Sequence, residues 1–73
     1  MKYNVGDGFT FTNVFSPVFK NFTILSFRVD VQEYEVCYPD GRKITLPESF
    51  IDEELRLGYL VQTSKNNGKW RRV

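Results

Sequence analysis

Few side chains in this sequence can do covalent or proton-transfer chemistry. There is one cysteine, Cys37 in Glu35-Val36-Cys37-Tyr38, and no histidine, so a nucleophile would have to rely on a carboxylate or a lysine as its base. Cys37 sits in an apolar run beside Val36 and Tyr38. An unactivated thiol there is mostly protonated and behaves as a small hydrophobe. The run Asp52-Glu53-Glu54 would be the only acidic metal-site candidate. On a helix its consecutive positions point in different directions, and the first helical turn attracts acids without any metal. With no Cys/His set for zinc, the residues predict a protein that is not an enzyme and has neither metal nor cofactor.

Binding chemistry is better represented. Lys65, Lys69, Arg71 and Arg72 lie in a stretch without acids, whereas residues 1–64 carry six bases and nine acids. The net charge of +1 therefore hides a dipolar chain. Trp70, inside Lys69-Trp70-Arg71-Arg72, adds an aromatic surface beside cations, suited to a base, a phosphate or an acidic protein. The competing reading is a solubilising tail whose Trp folds back. A second candidate is Val14-Phe15-Ser16-Pro17-Val18-Phe19, where Phe15, Pro17 and Phe19 either contact a partner or cover one end of the fold. Two phenylalanines on a loop are costly to leave wet.

These residues need a scaffold, and alternation of apolar and polar positions predicts strands. Gly6-Asp7-Gly8 turns into a strand over 8–12. A loop over 13–21 leads to a strand over 22–31 whose phase breaks near Leu25, predicting a bend or bulge. A strand over 34–38 and another over 43–46 flank Pro39-Asp40-Gly41-Arg42, a tight hairpin signal. After Pro47 the period changes. Ser49-Phe50-Ile51-Asp52 has capping-box spacing, Asp52, Glu53 and Glu54 fall in the predicted first turn, and Gly58 supplies a stop. A short helix or 3-10 turn over about 49–57 is expected, its apolar side plugging the fold, before a last strand over 59–63. Residues 64–73 form either a further hairpin, through Asn66-Asn67-Gly68, or a basic tail.

At 73 residues the chain is one domain, and only about 60% of its unfolded surface is buried on folding. Aromatics, 16% of the chain, must supply most of that core. The absence of Ala disfavours a helical bundle. No apolar stretch is long enough for a membrane span or a signal peptide, and one unpaired cysteine suits a reducing compartment. These features predict a cytoplasmic protein.

The order of elements predicts a mainly β fold, an SH3-like five-stranded small barrel over 1–63. Val5-Gly6-Asp7-Gly8-Phe9-Thr10-Phe11, Asn21-Phe22-Thr23-Ile24 and Gly41-Arg42-Lys43-Ile44-Thr45-Leu46 resemble KOW-type domains of transcription elongation factors and ribosomal proteins, across roughly residues 5–60. Asn21 stands where that motif carries Gly. The acidic Tyr-rich opening and tandem Trp of peptide-binding SH3 domains are not present, so a Pro-rich ligand is not implied. A short Ala-free barrel of this kind looks like a phage or mobile-element product acting in the host cytoplasm. The resemblance implies a regulator that binds a host protein complex, first of all RNA polymerase or its elongation complex, and modulates transcription. Two other readings stay open: a weak nucleic-acid binder using Lys65, Lys69, Trp70, Arg71 and Arg72, and a virion or structural adaptor that assembles through an open strand edge.

Overall fold

One extra residue in the second strand decides which aromatic rings reach the interior. The structure, a computed structural model, describes residues 2–65. They form β1 (Gly8–Phe11), β2 (Asn21–Arg28), β3 (Glu33–Cys37), β4 (Lys43–Pro47), α1 (Glu48–Leu57) and β5 (Leu60–Ser64). In β2, Ile24 pairs with Val36 of β3 but Ser26 pairs with Glu35, so Leu25 is the bulged residue. Without that slip Phe27 would share a face with Thr23. With it, Phe27 turns inward against the Tyr34 ring at 4.7 Å, while Leu25 stays on the face of Thr23. The bulge expected at Leu25 is present.

The strands form one antiparallel sheet in the order β4-β3-β2-β1-β5, and α1 packs against the two edge strands, β4 and β5. The fold is mainly β, as predicted. Its core is Phe9, Phe22, Ile24, Tyr34, Val36, Ile51 and Leu60. The rings form a connected series: Tyr3 meets Phe9 edge-on, Phe9 stacks on Phe22, and Phe22 contacts Phe11, which reaches Phe50 of α1. Such contacts add to the large area each ring buries.

Two turns follow from their glycines. Gly6 has φ 95° in a turn closed by the Asp7 amide on the Asn4 carbonyl, and the buried Asp7 carboxylate accepts the Asn4 amide at 2.9 Å. In the β3–β4 hairpin the Gly41 amide bonds the Tyr38 carbonyl and the Tyr38 amide bonds that of Arg42. Gly41 at φ 94° makes this a turn followed by a glycine bulge.

Element ends differ from the sequence reading by one to three residues. β2 ends at Arg28, not Val31, because Gln32 adopts φ 57° and bonds the Val29 carbonyl, closing a turn that leaves Val29 and Val31 exposed. The helix begins at Glu48 with Pro47 at its N-cap and no side-chain cap, so the expected Ser49–Asp52 capping box is not formed and Asp52 lies beyond the first turn. Its apolar side is also narrower than expected, since Ile51 is buried but Phe50 and Leu57 remain partly exposed. β5 extends through Ser64, one residue past the expected end of the barrel. No helix among the described residues is long and apolar enough to cross a membrane.

Candidate functional site

The loop between β1 and β2 crosses the sheet end beside the β3–β4 hairpin. The Phe11 amide bonds the Lys20 carbonyl at the loop's base, and a turn from Ser16 to Phe19, closed by the Phe19 amide on the Ser16 carbonyl, reverses the chain at Pro17. Phe19 then packs edge-on against Tyr38 at 5.3 Å, with the Arg42 guanidinium 4.5 Å from its ring centroid. Arg42 is itself fixed by an ion pair with Asp40 at 2.7 Å. Asp40 is held below the usual carboxylate range by hydrogen bonds from Arg42. Phe15 has no such cover and is 86% exposed.

Beside this cluster an open, largely apolar hollow of about 370 Å³ is lined by Asn21, Phe22, Thr23 and Leu25 on β2 and by Cys37, Tyr38 and Pro39 at the end of β3. Leu25 lies there with Thr23, both alternating with the buried Ile24. Cys37 is half-buried there, its thiol against the Tyr38 carbonyl at 3.2 Å. It is a wall residue of a surface depression, a position that the sequence pattern alone did not distinguish from the core.

Of the predicted binding residues, the structure places Phe15, Pro17 and Phe19 on this loop and brings Phe19 together with Tyr38 and Arg42. Lys65 is exposed at the far end of β5. Lys69, Trp70, Arg71 and Arg72 lie outside the described residues. Sequence reasoning missed Tyr38, Arg42 and Leu25. The signals available were the cation next to Gly41 in the hairpin and the phase break at Leu25.

A second cluster was also missed. The Tyr34 hydroxyl accepts the backbone amides of Lys2 and Tyr3 at 3.0 and 3.1 Å and donates to Glu48 at 2.5 Å. Tyr3 donates its hydroxyl to Asp52 at 2.6 Å, and Lys2 pairs with the same carboxylate at 2.7 Å. Desolvation, reinforced by Glu48, pushes Tyr34 up to about 12, and Tyr3 is raised by desolvation and by Asp52. Hydrogen bonds from Tyr34 to Glu48 and from Lys2 to Asp52 lower both carboxyls. Through these bonds the cluster ties residues 2 and 3 to α1. Among the described residues no group of three or more carboxylate or thiol side chains is placed to hold a metal ion. No protein family, characterised protein or solved structure matches the chain.

Proposed function

We propose that this chain is a small protein-docking module that attaches to a larger protein assembly through the β1–β2 loop and the adjoining hollow, altering that assembly without performing chemistry. The observation that carries the reading is Phe15, 86% exposed on a loop otherwise fixed by Phe19, Tyr38 and Arg42. An aromatic side chain held in water on a positioned loop is a typical anchor for a partner pocket. We read the sheet as an SH3-like barrel closed by its helix, a reading supported by the strand order and by the position of α1 between the two edge strands. The transcription apparatus, RNA polymerase or its elongation complex, is the target suggested by the KOW-like stretches.

The test is affinity purification with mass-spectrometric identification, comparing the natural chain with Phe15→Ser, followed by binding to the purified candidate. A stoichiometric partner whose affinity falls at least about tenfold in Phe15→Ser, with unchanged thermal stability, supports the proposal. If no stoichiometric partner is recovered, or Phe15→Ser binds it equally well, the proposal fails.

A further inference from the structure

We propose that Trp70, carried by the chain that follows Lys65, covers the hollow of its own sheet between β2 and β3, so that the free protein holds a built-in competitor for its docking site. What selects this occupant is the place where β5 delivers the chain. Phe9 and Phe11 pack into the core, so Gly8 and Thr10 face the outside of the sheet. A Cβ at Gly8 would fall 2.6 Å from the Ser64 hydroxyl oxygen. The Ser64 side chain therefore lies on that outer face, over a position that has no side chain of its own. Next in the same row is Thr23 of β2, the register partner of Gly8, and beyond it Cys37 of β3, the partner of Thr23. Both line the hollow. Asn21, Thr23 and Leu25 alternate with the buried Phe22 and Ile24, as Cys37 does with the buried Val36, so the hollow opens on the face over which Ser64 leans.

Distance fits as well. Strands lie about 4.8 Å apart, so the hollow begins two spacings, about 10 Å, from Ser64. Trp70 follows Ser64 by six residues, and six extended residues span at most about 20 Å. That reach covers the hollow and little beyond it. The largely apolar walls, Leu25, Cys37 and Pro39 among them, suit an indole ring, and Asn21 and Thr23 offer polar atoms to its N–H. Charge points the same way. Glu35 shares the face of Cys37 and lies beside Leu25, because its partner across the bulge is Ser26, and no ion pair among the described residues uses it. Lys69, Arg71 and Arg72 flank Trp70, so seating the ring brings cations to that acid. Lys43, the partner of Cys37, repels them from the β4 side. Tethering also gives the segment an effective concentration on the order of 1 mM, which favours it over an untethered occupant of equal affinity.

The chain has one tryptophan and one cysteine, so the two sides of the contact report separately in the full chain. With isotope labelling, the Trp70 ring should give nuclear Overhauser contacts to the Leu25 and Thr23 methyl groups, and its fluorescence should lie to the blue of that in urea. Trp70→Ser should accelerate maleimide labelling of Cys37 about tenfold, the factor for a site covered about nine-tenths of the time, with the amide signals of Val36 and Ile51 unmoved. Glu35→Lys should accelerate it by a smaller factor, and salt should narrow the gap to the natural chain. Equal labelling of the natural chain and Trp70→Ser, or Trp70 fluorescence unchanged by urea, would overturn the inference. So would a blue-shifted Trp70 without contacts to Leu25 and Thr23, which seats it elsewhere, and protection that rises with protein concentration, which assigns the hollow to a second copy. The competition itself rests on the docking reading above: Trp70→Ser should bind a captured partner more tightly, and weaker binding would overturn the competitor role. If Cys37 labelling shows the hollow uncovered while a Phe15-dependent partner is still captured, this inference falls and docking survives. If Trp70 covers the hollow and no partner is recovered, docking falls and the covering stands.

Discussion

Tyr34 uses its hydroxyl proton and both lone pairs at once, accepting two backbone amides and donating to Glu48. Tyr34→Phe keeps the ring packing but strands those partners. It should cost about 1–3 kcal/mol, read from the urea midpoint, and should speed amide exchange at Lys2 and Tyr3. The pH dependence follows from the same residues. Glu48 and Asp52 have folded-state values below their unfolded ones, so the unfolded chain binds more protons on acidification. Their contribution, full above the unfolded carboxylate range, is lost as pH falls through the folded values. Tyr34 has the opposite sign: its contribution is full below the ordinary 10.0 and is lost as pH rises toward about 12. Urea midpoints against pH should show a plateau with both flanks falling, and Glu48→Gln should flatten the acid flank. None of this was legible in sequence, because spacing rules see neighbours and these partners lie up to 50 positions apart.

Strands were legible because alternation is a local property, and the break at Leu25 correctly located the bulge. The helix start was not. Ser49 and Asp52 have capping-box spacing, yet Tyr3 and Lys2 claim the Asp52 carboxylate, and the Glu48 amide finds the Gln32 carbonyl instead. The helix end was easier to read. Gly58 adopts φ 83°, its amide bonds the Leu55 carbonyl and that of Tyr59 reaches Glu54, the paired bonds that end a helix at a left-handed residue. A Cβ at Gly58 would meet nothing within 4 Å, so Gly58→Ala tests backbone conformation alone. It should destabilise by about 1 kcal/mol. Gly41→Ala, equally unobstructed at φ 94°, should cost a similar amount, and calorimetric melting checks both.

At the scale of the whole molecule, aromatic packing substitutes for the staples that a chain this short often needs. Phe22 contacts both Phe9 and Phe11 and is 2% exposed. Phe22→Ala should cost about 3–5 kcal/mol, against a total stability of roughly 4–11 kcal/mol for a domain of this length. Loss of dispersed proton NMR signals at room temperature is the expected result. Aromatic content foretold this core. Charge placement was legible only along the chain: the basic stretch at 65–73 stood out, whereas the approach of Arg42 to Phe19 exists only once the loop and hairpin are folded together.

The pairing of β1 with β5 also constrains biosynthesis. Gly8 lies opposite Ser64 and Phe11 opposite Leu60, so among the described strands the one made first waits for the one made last. During translation the nascent chain can form the β2–β3–β4 meander, but β1 keeps one bare edge until Ser64 has left the ribosomal exit tunnel. A force-sensitive arrest sequence placed at increasing distance after Ser64 should register a single late folding event, as expected when the sheet's last seam joins its two most distant strands.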